Sequence, residues 1–219
     1  MVNQKTPKGP LAGLLVVELG DRIGAAACGS LLAQIGAEVV LLEHADGTPP
    51  RGKWTNRPVI SAGKRSLRAL RSGADIAALL ARADVIIGST DLGGALAMPS
   101  RQAHQVTCDI TAFGSTGPLA GKAFSDAMVQ AIAGIADTTG APEGPPTPVG
   151  LPILEYAAGL YAASGIMAAL RIRRATGKGQ HVEVALYDCA LSALPTFLPF
   201  HYVGKPVTRA GNRIDQLLL

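Results

Sequence analysis

Three stretches of this 219-residue chain carry residue types that can do chemistry. The first is residues 111–131, TAFGSTGPLAGKAFSDAMVQA. Here a strand end gives way to a turn rich in glycine (Gly114, Gly117, Gly121) and then to a helix opening at Asp126. A carboxylate in the first turn of a helix faces the positive end of the helix dipole. It is held as an anion and is competent to attack an acyl carbon. The same residue beside Ser125 would also serve as a second cap, and the local sequence leaves both roles open. The second stretch lies between Gly47 and Ala74. It holds Arg51, Lys53, Arg57, Lys64, Arg65, Arg68 and Arg71 and no acid. It reads either as a solvated loop or as an anion site, where Gly63, Lys64, Arg65 and Ser66 would combine backbone N–H groups, charge and a hydroxyl. The third is the turn from Gly20 through Arg22 and Ile23 to Ala25. Gly20, Gly24 and Gly29 lack the GxGxxG spacing of a dinucleotide fold, although Glu43 sits where such folds place a ribose-binding acid. The small residues Ala25, Ala26, Ala27 and Gly29 would let a ligand or another helix come close to the backbone.

These residues need a scaffold, and the pattern of apolar runs supplies one. Residues 14–20 (LLVVELG) and 37–43 (AEVVLLE) read as buried strands. Between them, residues 25–36 read as a helix stopped by Gly36. Strand, helix and strand over this length form a right-handed βαβ unit. Residues 44–73 read as a long loop with one short element at 58–61. A helix follows at 74–83, strands at 84–89 and 105–111, and a helix at 125–138 capped by Ser125. A long Ala-rich helix spans 153–174, with Arg171, Arg173 and Arg174 at its negative end. Residues 181–188 read as a strand or a strand leading into a helix. The sum is an α/β fold, a Rossmann-like and mostly parallel sheet flanked by helices.

Composition narrows the function classes. The chain is 48% apolar and 16% charged, which excludes disorder. A net charge of +4 with 4% aromatics gives no basis for nucleic-acid binding. Cys28, Cys108 and Cys189 are odd in number with no CxxC, so no disulfide framework is expected and the expected compartment is cytoplasmic. The polar tail of residues 1–10 lacks the apolar core of a secretion signal. The uncharged stretches at 156–170 and 189–204 fall short of a membrane span, so no membrane partner is expected. His44, His104, His181 and His201 show no ligand spacing, so no metal is expected.

The order of motifs resembles the class III coenzyme A transferases, the group of formyl-CoA and carnitine CoA transferases. The matches are PLAGLLVVELG, LLAQIGAEVVLLE, GKRS, ADVII, ITAFGSTGPLAGKAFSD, VGLPILEYAAGLYAASGIMAAL, TGKGQHVEVALYD and RAGNR, from Pro10 to Arg213. The resemblance implies a CoA-transferase large domain over residues 11–219. It also implies an acyl-CoA and a small carboxylate as substrates, and a homodimer or a partner chain carrying the rest. It places the nucleophile at Asp126, which would pass through an aspartyl anhydride and an aspartyl-CoA thioester. It places Arg22 and Ile23 near the pantetheine or adenine of coenzyme A, and Gly63, Lys64 and Arg65 near its phosphates. Thr111, Ala112 and Phe113 would line the approach to Asp126, and Glu155 would have a positioning role.

Three departures stand out. The family's Asn-Phe-Arg-Pro-Gly reads Ser89-Thr90-Asp91-Leu92-Gly93, which removes an amide and a cation and adds an acid. Its Gly-Tyr-Asp reads Phe124-Ser125-Asp126. The chain has roughly half the family's length, so the small domain is expected to be missing. Two alternatives stay open. One is a 2-methylacyl-CoA racemase, a relative with His-Asp where this chain has Ser125-Asp126. The other is a catalytically silent relative that binds an acyl-CoA or a partner.

Overall fold

The computed structural model describes residues 9–19, 22–44, 57–69, 74–92, 98–195, 197–207, 209 and 211. Eight residues of the expected N-terminal tail, and Arg51, Lys53 and Arg71 of the basic run, lie outside this set. Six parallel strands form one sheet: β1 Leu15–Glu18, β2 Glu38–His44, β3 Arg65–Ala69, β4 Val85–Gly88, β5 Val106–Thr111 and β6 His181–Ala185. Their order is β3-β2-β1-β4-β5-β6. The winding direction therefore reverses between β1 and β4, and the crevice at the carboxyl ends of those strands is where such sheets place ligands.

Alternation along the strands builds a core on each face. Val16, Val39, Val85 and Ile87 point toward α1 (Ile23–Gln34) and α6 (Ile153–Thr176). Val17, Val40, Leu42 and Ile86 point the other way, toward Ile76, Leu79 and Leu80 of α3 (Ala74–Arg82). The helices α1 and α6 cross closely because both carry small residues. A Cβ added at Gly159 would sit 2.9 Å from the Cβ of Ala27 and 2.9 Å from the carbonyl oxygen of Gly24.

The structure corrects three expectations. The short element expected at 58–61 is α2 (Arg57–Ile60), but the expected loop around it at 44–73 also contains the strand β3, paired in parallel with β2 from Val40–Arg65 to His44–Ala69. β3 is an edge strand of sequence RSLRA, so its polar character hid it from an apolar-run criterion. The expected helix at 125–138 breaks at Gly134, where φ is 92°, into α4 (Asp126–Ala133) and α5 (Ile135–Thr138). By length and composition α6 could cross a membrane, contrary to expectation, because its basic residues fall only at the end. Its inner face packs into this core instead, with Leu154, Ala158, Ala162 and Ile166 buried. Residues 181–188 resolve into β6 followed by α7 (Leu186–Ser192), and α8 (Leu198–Tyr202) completes the described elements.

Candidate active site

Asp126 is the first residue of α4. Ser125 precedes it in extended conformation, and its Oγ accepts a hydrogen bond from the N–H of Met128. This is the expected cap, and it leaves the Asp126 carboxylate with other partners. Its Oδ2 accepts from the main-chain N–H of Glu155 at 2.8 Å, and its Oδ1 accepts from Gln130 Nε2 at 2.5 Å. Gln130 is held in turn by the N–H of Val149, which donates to its Oε1 at 2.7 Å. Glu155 is the third residue of α6, so one carboxylate meets the positive ends of two helices. Each Asp126 oxygen takes one donor and keeps capacity for another.

Glu155 lies beside it. Its Oε2 accepts from the N–H of Gly24 at the start of α1, at 2.8 Å, and its Oε1 pairs with Arg22 Nη1 at 2.8 Å. Burial pushes the Glu155 carboxyl above its usual range. The Arg22 charge and the Gly24 N–H pull it back, and Asp126 pushes it up again. Arg22 is buried to 3% exposure, and all five of its N–H donors are spent inside the protein. Nε and Nη2 grip the two oxygens of Asp91, Nη1 takes Glu155, and Nη1 and Nη2 both reach the carbonyl of Phe124 at 3.3 Å. Asp91 sits on a short 3-10 turn after β4 (Thr90–Leu92), and its Oδ2 also accepts from the N–H of Ala112 at 2.8 Å. The acid introduced by the altered motif therefore faces Arg22, and the pair neutralises itself inside the fold.

A cavity of about 600 Å³ opens on this group. Arg22, Ile23, Asp126, Gln130 and Glu155 line it, together with Leu92, Phe124 and a proline-rich rim from Pro148 to Pro152. The structure thus brings together Arg22, Ile23 and Asp126 from the sequence reading. Phe113 stands one layer back, with its ring edge-on to Phe124 at 5.1 Å. Thr111 and Ala112 are buried at the end of β5. The Thr111 hydroxyl accepts from the N–H of Gly114, which shapes the glycine-rich turn.

Gly63, Lys64 and Arg65 lie elsewhere. Lys64 turns inward, and its Nζ donates to Glu18 Oε2 and to the carbonyl of Ala26, both at 2.7 Å, with both side chains 1% exposed. Arg65 pairs with Glu38 at 2.6 Å on the surface. Glu18 and Gln130 were not singled out in the sequence, and Asp91 was noted there only as the acid added by the altered motif. Only the i to i+4 spacing of Asp126 and Gln130 is a local signal. Among the described residues no group of three or more His, Cys, Asp or Glu is placed to hold a metal ion.

A parallel α/β domain with two buried carboxylates opening on a cavity at the carboxyl end of its sheet has the parts for acyl chemistry by a carboxylate nucleophile. The chain belongs to CoA-transferase family III, whose family model matches residues 11–217. It is 30% identical over 97% of its length to a succinate–glutarate CoA-transferase of Agrobacterium fabrum. It is also 30% identical over 94% of its length to the β subunit of a succinyl-CoA–L-malate CoA-transferase of Chloroflexus aurantiacus. A CAIB/BAIF family protein from Brucella suis superposes on 92% of the chain with a TM-score of 0.81 and 32% identity. The chain spans 60%, 56% and 60% of these three proteins, respectively.

Proposed function

We propose that this chain supplies the carboxylate half-site of a CoA transferase, moving coenzyme A from an acyl-CoA to a small carboxylate. The observation that carries the reading is the Asp126 carboxylate at the junction of two helix N-termini, opening on the cavity it shares with Arg22 and Glu155. In the proposed cycle Asp126 attacks the thioester carbonyl. A C–O bond forms, the C–S bond breaks, and CoA leaves as the thiolate. The thiolate then attacks the Asp126 carbonyl of the anhydride and releases the donor acid as a carboxylate. The acceptor carboxylate attacks the resulting aspartyl-CoA thioester and expels the thiolate again. Attack of the thiolate on the acceptor's acyl carbon gives the new acyl-CoA and frees Asp126. No proton is consumed, which suits a site whose acids are held as hydrogen-bond acceptors. A partner chain fits this reading, because one relative is the β subunit of a two-subunit transferase.

A second assignment is favoured by one contact. Asp126 accepts the main-chain N–H of Glu155, so it fixes the start of α6 and with it the Glu155 side chain. In that version Glu155 is the nucleophile and Asp126 positions it. Intact-protein mass spectrometry with a panel of acyl-CoAs separates the two. If Asp126→Asn loses the covalent acyl or CoA adduct and Glu155→Gln keeps it, Asp126 is the nucleophile. The reverse pattern assigns Glu155. Folded wild-type protein that forms no adduct would end the transferase reading for this chain alone.

A further inference from the structure

The cavity shared by Asp126 and Glu155 has a lining of two kinds. Its charged members are Arg22, Asp126 and Glu155, all buried. Among the described lining residues Arg22 is the single cation, and its N–H donors are already taken by Asp91, Glu155 and the carbonyl of Phe124. Two carboxylates therefore face this space with no uncommitted positive charge among the described residues beside them. The larger side chains of the remaining wall are apolar: Ile23, Leu92, Phe124, Val149 and Leu151. This wall is preformed. The N–H of Val149 donates to Gln130 Oε1 at 2.7 Å, and the Phe124 ring packs against Phe113.

We propose that the acyl group this cavity takes is uncharged and aliphatic, an inference that rests on the transferase reading above and adds the substrate class to it. Ile23, Leu92, Phe124, Val149 and Leu151 are then the residues that set specificity. A second carboxylate on the substrate would lose its water among apolar side chains and meet two like charges where it needs a partner. Arg22 could serve it only by leaving Asp91 or Glu155 buried and unpaired. A methyl group at the same place leaves water for an apolar contact, which is favourable. Succinate, glutarate and malate, the acids in the names of the relatives above, each carry two carboxylates. The lining therefore sets this chain apart from those proteins. The reacting carboxylate of an acceptor is treated differently. It approaches when Asp126 is bound up as a neutral thioester, so one of the two anions is gone. A second carboxylate gains no such relief from Glu155, whose oxygens stay turned to Arg22 and to the N–H of Gly24.

The test compares two stable thioethers of coenzyme A, S-butyl-CoA and its counterpart ending in a carboxylate, S-carboxypropyl-CoA, by calorimetric titration of the full chain. Neither can acylate Asp126, so binding is read apart from catalysis. S-butyl-CoA should bind roughly ten- to hundredfold more tightly, the range expected when a buried polar or charged group is left without a partner. Leu151→Arg changes a position that is 68% exposed, so the variant folds, and it sets a free cation at the rim of the cavity. It should tighten S-carboxypropyl-CoA and narrow the ratio several-fold. Equal affinities in the wild type, tighter binding of S-carboxypropyl-CoA, or binding of neither thioether would overturn the proposal. So would a ratio that Leu151→Arg leaves unmoved, because the acyl chain would then lie elsewhere. Intact-protein mass spectrometry with butyryl-CoA and succinyl-CoA separates this failure from that of the parent reading. Adducts formed equally from both would overturn the specificity and leave the transferase standing. No adduct from either, with the thioether preference intact, would end the transferase reading and uphold the preference of the cavity.

Discussion

Replacing Lys64 with Met would leave the Glu18 carboxylate buried with no counter-ion. Glu18 lies at the end of β1 at 1% exposure, and its Oε2 takes a hydrogen bond from Lys64 at 2.7 Å. Burial pushes the Glu18 carboxyl above its ordinary value of 4.5, and Lys64 pulls it back by charge and by hydrogen bonding. A carboxyl whose folded value is raised holds its proton more tightly in the native state. Its contribution to stability is full below the unfolded value and is lost as pH rises through the folded value. Removing Lys64 takes away the group that opposes the rise, so the window of loss extends upward. Breaking a buried pair from one side costs about 3–5 kcal/mol. Part of that cost must depend on pH, because the stranded carboxyl can take up a proton. Each pH unit inside the window is worth about 1.36 kcal/mol, so two units set a ceiling of about 2.7 kcal/mol. For a chain of this size that is roughly 5–11 °C in Tm. The assay is thermal unfolding of the wild type and K64M at pH 5.5 and 7.5, taking the difference of differences so that other titrating groups cancel. K64M should lose more stability at pH 7.5 than at pH 5.5, and adding Glu18→Gln should remove the pH dependence. An equal loss at both pH values would refute the argument that Lys64 holds a buried anion.

Three further outcomes follow from the same contacts. Gly29→Ala should destabilise the chain by several kcal/mol in urea denaturation, because its Cβ would sit 2.2 Å from Glu18 Oε2 and 3.2 Å from Lys64 Nζ; a near-neutral result would mean that the ion pair can move aside. Arg22→Met strands Asp91 and Glu155 and should cost about 3–5 kcal/mol. Arg22→Lys should cost less but remain destabilising, since three donors replace five, and equal midpoints for Arg22→Lys and wild type would show that the guanidinium fork is dispensable. The native thiols should resist aromatic disulfide reagents at pH 8, because burial lifts Cys108 to about 12 and Cys189 to about 11 and also raises Cys28. All three should react on denaturation, and fast labelling of the native chain would contradict their burial.

The buried pair at Lys64 also bears on ligand binding. To reach a phosphate, its ammonium would have to leave Glu18 inside the fold, at a cost of several kcal/mol. Arg22 is likewise committed, with every donor spent on Asp91, Glu155 and Phe124. Arg22 holds Asp91 and Glu155 beside the cavity, and Lys64 holds Glu18 at the end of β1. Asp91, read in the sequence as an acid intruding on a cation's position, turns out to be the anchor of Arg22 and of the end of β5.

The sequence alone determined whatever is set over a few residues. The Val-, Leu- and Ile-rich runs define β1, β2 and β4, because a strand buried on both faces is largely apolar. Ser125 before Asp126 marks a helix start, because capping is a contact between near neighbours. The motif order from the first strand to TGKGQ carried the family. What the tertiary structure decided is the pairing of distant charges and the choice between helix faces. Arg22 meets Asp91 and Glu155 across 69 and 133 residues only because α1, the turn after β4 and the start of α6 all converge on one end of the sheet. Lys64 sits in a basic run of the sequence, yet the pairing of β3 with β2 carries it to Glu18 and to the carbonyl of Ala26 in α1. In α6 the periodicity is legible, but packing against α1 and β5 settles which stripe is buried and leaves Ile153, Leu160 and Met167 outside. Local propensities act along the chain. Desolvation, the force that pairs a buried charge or turns an apolar stripe inward, acts only once distant segments have closed around it.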